Sequence, residues 1–207
     1  MFPEWHTDQE IGWIEVICGS MFSGKTEELI RRMRRAQIAK QATILFKPTI
    51  DTRYDKQDIV SHNNSRIPSI PVTNSEQIWL DSSKAQVVGI DEAQFFDTQI
   101  VEVVNRLANN GKRVIVAGLD MDYLGKPFGQ MPYLMAIAEF VTKVHAVCPR
   151  TGQLAHYSFR KTAINGQVVL GEQDIYEPLS RKAYLTEMNL KQNAPKQPQN
   201  TLPAEEN

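Results

Sequence analysis

Apolar and polar positions alternate along this chain in two distinct rhythms. "WIEVICGS" is a short apolar run that ends in a glycine turn, and it reads as a strand. The next stretch, "KTEELIRRMRRAQIAK", changes period: Leu29, Met33 and Ala36 fall on one face of a helix. Glu27 and Glu28 sit in its first turn, where the helix dipole favours negative charge. "ATILFK", "AQVVGID" and "RVIVAGLD" are apolar, β-branched runs closed by polar or glycine signals. Runs of this kind are the mark of strands buried on both faces of a mainly parallel sheet. Between the last two lies "TQIVEVVNRLANNGK", with Ile100, Val103, Val104 and Leu107 as its apolar stripe, Thr98 as the expected cap and Gly111 as the expected stop. Strand and helix in alternation predict an α/β core.

The texture changes after about Val147. "AHYSFR" and "GQVVLG" are short strand candidates around "KTAINGQ", whose Asn165-Gly166 pair signals a hairpin turn. The chain therefore divides into an expected core over 1–147, a small β-containing unit over 148–190, and a tail over 191–207. The tail, "KQNAPKQPQNTLPAEEN", is polar and proline-rich and is expected to lack structure.

Composition narrows the class. A chain of 207 residues with 42% apolar and 23% charged content suits one soluble domain with a small appendage. No apolar run is long enough to span a bilayer, and "MFPEWHTDQE" lacks the basic-then-apolar order of a signal peptide. Two cysteines, Cys18 and Cys148, make no disulfide framework, so the expected home is the reducing cytoplasm. A net charge of −1 calls for neither nucleic acid nor membrane as a partner.

Candidate chemistry begins at Gly19-Ser20-Met21-Phe22-Ser23-Gly24-Lys25-Thr26, which fits G-x-x-x-x-G-K-[ST]. It follows a strand and opens a helix, the context such a loop requires. Its glycines let backbone N–H groups wrap phosphate oxygens, Lys25 reaches the β and γ phosphates, and the Thr26 hydroxyl can bind Mg²⁺. Arg31, Arg32, Arg34 and Arg35 follow on the helix, beyond the loop's reach, and read as a solvated or subunit-contacting face. In "VVGIDEAQFF", Asp91 stands at a strand's carboxyl end, where it can hold Mg²⁺. The adjacent Glu92 is a candidate base for an attacking hydroxyl.

Five motifs, "GSMFSGKTEELIRR", "KPTIDTRY", "GIDEAQFF", "AGLDMDYLGKPFG" and "AVCPRTG", occur in one order over about residues 12–188. Together they resemble the type II thymidine kinases, the family that includes the human cytosolic enzyme. The resemblance implies an α/β P-loop core of recombinase-like, mainly parallel sheet with a small β-containing lasso domain, and a tetrameric assembly. It implies transfer of the γ-phosphate of ATP to the 5′-hydroxyl of thymidine. By motif, Gly19 to Thr26 together with Asp91, Glu92, Ala93 and Gln94 is implied as the ATP site. Thr26 and Asp91 are implied to hold Mg²⁺, Lys25 and Glu92 to be catalytic, and Glu92 to be the base on the 5′-hydroxyl. Met21, Phe95, Leu119, Tyr123 and Phe128 fall where the family lines its thymine pocket, with Tyr123 standing where some members carry Phe. Ordinary core packing is the alternative for these residues, Leu119 above all. Ser158 falls where relatives often place a Thr that hydrogen-bonds the base, and Val169, Gly171 and Tyr176 fall on the lasso loop that encloses the nucleoside, with a satellite core as the alternative for Tyr176. Asp51 and Arg53 match a loop that supports the site, with a surface ion pair as the alternative.

The chain departs from the family at the zinc site. Relatives hold zinc with two cysteine pairs; here Cys148 remains, while Thr151, Ser180 and Ala183 stand in the other three places. His145 and His156 lie nearby but do not restore the pattern. Structural zinc needs four protein ligands, so the expectation is a zinc-free member whose small unit is held by packing, through Pro149, Leu154, Pro178, Leu179 and Tyr184. Two other functions stay open at this point. One is a P-loop ATPase or switch that binds nucleic acid or a protein; the near-neutral charge speaks against its nucleic-acid form. The other is a kinase for a different deoxynucleoside, because a base pocket separates substrates differing by one methyl only modestly.

Overall fold

The computed structural model describes residues 11–49, 58–60, 66–162 and 174–193. The chain begins with β1 (Trp13–Gly19), α1 (Lys25–Ile38) and β2 (Thr43–Pro48). Short strands β3 (Asp58–Val60), β4 (Arg66–Pro68) and β5 (Ile70–Val72) lead to α2 (Ser75–Asp81). The core then continues through β6 (Val87–Ile90), α3 (Ile100–Asn109), β7 (Arg113–Leu119), α4 (Met131–Ile137) and β8 (Phe140–Lys143). The remainder comprises β9 (Ala146–Val147), β10 (Leu154–Ala155), β11 (Tyr157–Arg160), β12 (Tyr176–Leu179) and α5 (Arg181–Asn193).

Six strands form one sheet in the order β5-β2-β6-β7-β1-β8, with every neighbouring pair parallel. The continuous apolar runs of the sequence are explained by cover on both faces. Ile14, Val16 and Cys18 of β1 and Val114 and Val116 of β7 pack with Ile100, Val103, Val104 and Leu107 of α3. The alternate residues, Ile17 of β1 with Ile115 and Ala117 of β7, pack with Leu29, Ile30, Met33 and Ala36 of α1. The strand period of two thus deals successive residues to opposite helical layers. The expected faces of both helices are the buried ones. Strand β8, which completes the sheet beside β1, was not singled out by its sequence, because "FVTK" is too short and too mixed in burial to stand out.

Two expectations about the core need correction. Thr98 does not cap α3: Gln99 holds the cap position without a side-chain bond, and Asp97 serves instead. Its carboxylate accepts from the Gln99 N–H at 3.0 Å and from the Ser75 N–H and hydroxyl at 2.9 and 2.5 Å, so it joins the starts of α2 and α3. Gly111 does stop α3, with φ +78° just past its end. Nor are the four arginines of α1 all solvated. Arg32 is 3% exposed, and its guanidinium meets Glu15 Oε2 at 2.8 Å, Glu28 Oε1 at 2.8 Å and Thr142 Oγ1 at 3.0 Å. Glu15, in turn 1% exposed, takes a further bond from Arg113 at 2.6 Å and one from the Trp13 indole at 2.8 Å. Period-two alternation places Glu15 on the α1 face of β1, which is why an apparently misplaced acid in "WIEVICGS" finds its partner there.

In the small unit β9 pairs with β10 and β11 with β12, both antiparallel. Tyr157 stacks on Tyr184 at 4.2 Å, and Phe159, Leu179, Ala183 and Cys148 complete a satellite core. Leu179 and Tyr184 take the packing role expected of them; Pro149 and Leu154 are exposed and do not. Leu154 lies opposite Val147 in the β9–β10 pair, and both point to the outer face. The Asn165-Gly166 hairpin and the strand "GQVVLG" lie outside the described residues. Helix α5 runs to Asn193, three residues into the tail expected to be unstructured.

Burial works against the Glu15 charge, but hydrogen bonds from Arg113 and Trp13 and attraction to Arg113 and Arg32 outweigh it and hold the carboxyl below its ordinary 4.5. Such a group adds stability that is complete above pH 4.5 and is lost as pH falls through the lower folded value. Glu15→Ala strands two arginines and is expected to cost about 3–5 kcal/mol in urea unfolding at pH 7. The gap from the parent chain should narrow below pH 4.5. A loss that stays the same on acidification would contradict the assignment.

Candidate active site

The carboxyl ends of β1, β6 and β7 lie side by side. Gly19 closes β1 opposite Leu119 at the end of β7, and Ile90 closes β6 one residue before Asp91. In open parallel sheets this edge is where ligands bind.

The loop from β1 into α1 turns through two left-handed residues, Phe22 at φ +62° and Gly24 at φ +84°, the latter at the helix cap. Ser23 Oγ donates to the Ser20 carbonyl at 2.7 Å, and Lys25 Nζ donates to the same oxygen at 2.8 Å. The lysine is buried and folded over its own loop. Thr26, one residue on, donates its hydroxyl to Asp91 Oδ2 at 3.3 Å. Asp91 is buried, and its N–H is fixed to the Phe46 carbonyl at 2.9 Å. The two residues expected to share a cation are therefore adjacent. A hydroxyl and a carboxylate beside a phosphate cradle suit Mg²⁺, which takes few protein ligands and completes its shell with phosphate and water oxygens.

Glu92 stands at φ +50°, ψ +43°, a left-handed conformation that costs a non-glycine residue about 1–3 kcal/mol. Its N–H donates to Asp91 Oδ1 at 2.9 Å. The turn it opens, Ala93–Phe95, buries Ala93 and Gln94. Gln94 donates to Glu92 Oε2 at 2.5 Å and accepts from the Leu119 N–H at 2.9 Å. Phe95 meets Phe128 edge to face at 5.7 Å, and the Phe128 N–H donates to the Asp120 carbonyl at 3.1 Å. Phe95, Leu119 and Phe128 are thus gathered around Gln94 at the end of β7. Asp120, which the sequence reading did not select, is buried there with Lys143 Nζ at 2.7 Å.

The other expected pocket residues gather on the small unit. Ser158 is buried and accepts from the Met21 N–H at 2.9 Å, which ties β11 to the phosphate loop. Ser20 Oγ reaches the Ala155 carbonyl at 3.4 Å. Tyr123 lies under the Arg160 guanidinium, 3.3 Å from ring centroid to carbon, and its carbonyl accepts from the Tyr184 hydroxyl at 3.0 Å. Tyr176 is buried opposite Arg160 in the β11–β12 pair. Arg160 was invisible to pattern reading because "SFR" looks like a strand end with an exposed cation. Val169, Gly171, Asp51 and Arg53 lie outside the described residues.

At the positions where the family resemblance placed zinc ligands, this chain has a hydrogen-bonded knot. Thr151 Oγ1 donates to Ser180 Oγ at 3.1 Å, and the Ala183 N–H reaches Ser180 Oγ at 3.5 Å. Burial pushes the Cys148 thiol up, but hydrogen bonds from Thr151, from Ser180 and from the backbone of Arg150 outweigh it and bring it to about 7. One sulfur, two hydroxyls and a methyl do not fit zinc. His145 and His156 sit edge to face at 4.7 Å, and burial with the neighbouring His145, Lys143 and Arg181 charges lowers His156. Among the described residues no group of three or more His, Cys, Asp or Glu is arranged to hold a metal.

A strand, a glycine-bent phosphate cradle, a helix and an acidic strand end on a parallel sheet define a P-loop nucleotide-binding protein of the α/β class. The chain belongs to the thymidine kinase family, whose profile matches residues 12–184. It is similar to the thymidine kinase of Porphyromonas gingivalis, with 62% identity over 173 residues that span 84% of this chain and 85% of that one. The thymidine kinase of Bacteroides fragilis is 58% identical over 186 residues, 89% of this chain and 94% of that one. Among solved structures, the genome packaging NTPase B204 of Sulfolobus turreted icosahedral virus 2, in complex with ATP-gammaS, aligns at 20% identity and a TM-score of 0.44 over 67% of this chain and 77% of its own.

The Ser158–Met21 contact has a measurable consequence. Ser158→Ala removes the acceptor from a loop amide and is expected to lower stability by about 1 kcal/mol. It should also raise KM for ATP, because the amide belongs to the phosphate loop. An unchanged ATP KM alongside a raised nucleoside KM would assign Ser158 to the acceptor alone.

Proposed function

We propose that this chain is a thymidine kinase that transfers the γ-phosphate of ATP to the 5′-hydroxyl of thymidine and yields thymidine monophosphate. The observation that carries the reading is the meeting of three groups at one sheet edge: Lys25 in its glycine-bent loop, Asp91 against Thr26, and Glu92 beside Asp91. Family membership supports the choice of acceptor.

On this reading Lys25 exchanges the Ser20 carbonyl for phosphate oxygens and follows the charge that moves with the phosphoryl group. Thr26 and Asp91 would hold Mg²⁺, which would supply charge neutralisation for the β and γ phosphates. Glu92 takes the proton from the 5′-hydroxyl as the oxygen attacks. Met21, Phe95, Leu119, Tyr123 and Phe128 line the thymine pocket, and Ser158 and Tyr176, with Val169 and Gly171, belong to the unit that covers the nucleoside. Exclusion of water by that cover suppresses hydrolysis of ATP in the absence of acceptor. Residues 1–147 serve as the catalytic core and 148–190 as the cover. The family resemblance supports a cytoplasmic homotetramer.

The small unit does without zinc. The Cys148–Thr151–Ser180 hydrogen bonds and the Tyr157–Tyr184 stack take over the closing role. Purified protein is therefore expected to carry less than stoichiometric zinc by elemental analysis, and a chelator should leave its melting temperature unchanged once Mg²⁺ is restored. One tightly held zinc per chain would overturn this.

A phosphate-transfer assay across a panel of nucleosides, with ATP hydrolysis read in parallel, tests the acceptor; thymidine should lead the panel. Glu92→Gln should lose transfer by about 10²–10⁴-fold while ATP and thymidine still bind. Near-normal turnover would remove Glu92 from the mechanism.

A further inference from the structure

The geometry assigns to Gln94 a part in positioning the base: it holds the Glu92 carboxylate in place and ties it to the strand end that presents Leu119. This inference rests on the reading of Glu92 as the base. Gln94 is 4% exposed, so neither end of its amide faces bulk water. A primary amide has one donating and one accepting end. Here its partners settle which end is which. The Leu119 N–H can only donate, at 2.9 Å to Oε1, so the NH₂ group faces Glu92 Oε2, at 2.5 Å.

The surroundings are shaped for this side chain. A Cβ on Gly118 would lie 2.8 Å from Gln94 Oε1 and 2.6 Å from Met131 Sδ, so the seat of the amide exists because β7 has no side chain there. Glu92 itself is held in a left-handed conformation, and a strained residue persists only where its surroundings over-determine it. The amide supplies part of that determination. Anchoring one carboxylate oxygen limits rotation about the last torsion of Glu92, so the carboxylate meets the acceptor in one orientation. Because the same amide grips the Leu119 backbone, the distance between the base and the nucleoside seat is set by one rigid link.

Four variants test this by steady-state kinetics: Gln94→Leu, Gln94→Glu, Glu92→Gln, and the pair Gln94→Leu with Glu92→Gln. Gln94→Leu loses both bonds and should lower kcat by about 10–10²-fold with KM for ATP within about twofold, as expected for a lost hydrogen bond to a charged group. Gln94→Glu keeps an acceptor for the Leu119 N–H but sets a second carboxyl group against Glu92 Oε2. Two carboxyl groups that close raise the pKa of one of them, so the acid limb of the kcat–pH profile should move to higher pH if the Gln94 amide holds Glu92, and stay at its parental pH if it does not. Should Gln94→Leu fail to fold, the Gln94→Glu comparison carries the test alone. In the paired variant the Gln94 change should add less than about twofold, because a residue that acts through Glu92 has nothing left to act through. Multiplying losses, or an acid limb of Gln94→Glu that stays at its parental pH, would overturn the inference while leaving Glu92 as the base. Near-normal turnover of Glu92→Gln would overturn the base and, with it, this role for Gln94.

Discussion

The contact between the Thr26 hydroxyl and the Asp91 carboxylate, 3.3 Å across two elements that are 65 residues apart, is the constraint on which the site depends. It exists because parallel strands all end at one edge. β1 delivers the phosphate loop, β6 delivers Asp91 and Glu92, and β7 between them delivers Leu119. A register slip of one residue in any of these pairs would turn the alternate side chains to the wrong helical layer. The two apolar clusters on either face of the sheet therefore do more than stabilise it. They hold the register that keeps the Thr26 hydroxyl, the Asp91 carboxylate and the Lys25 loop together at one sheet edge.

Helix α1 is held at its first turn and at its middle. Its first turn carries Lys25 and Thr26 into the site. Glu28, in the same turn, and Arg32, one turn further on, lock it through Glu15 and Arg113 to the starts of β1 and β7. Buried ion pairs of this kind contribute less to net stability than to fixing one arrangement, and here the arrangement fixed is the pitch of the helix that presents the phosphate loop. The small unit acts on the loop from the other side, through Ser158 on Met21 and Ser20 on Ala155. The loop is thus bounded by the sheet on one side and by the small unit on the other.

Much of this was legible in the sequence. Continuous apolar runs marked the strands, and the G-x-x-x-x-G-K-T pattern with an acidic strand end marked the site, because both depend on local spacing. What escaped was set by long-range geometry. Arg32 looked like one of four solvated arginines until the sheet placed Glu15 under it. Thr98 looked like the better cap, but Asp97 satisfies two helices at once. Gln94 looked like one more nucleotide-site residue, since nothing in "DEAQFF" shows that its amide reaches β7. Thr151, Ser180 and Ala183 could be counted at the three cysteine positions, yet the hydrogen bond that joins Thr151 to Ser180 needed the fold to bring residues 29 apart together.

The most direct test of the account is a crystal structure with thymidine and a non-hydrolysable ATP analogue bound together. The account places the Glu92 carboxylate within hydrogen-bond reach, about 2.6–3.2 Å, of the 5′-oxygen, with Lys25 moved from the Ser20 carbonyl onto the phosphates and the Gln94 amide still on Glu92. A 5′-oxygen that instead faces Asp91 or Asp120, with Glu92 turned away, would contradict it.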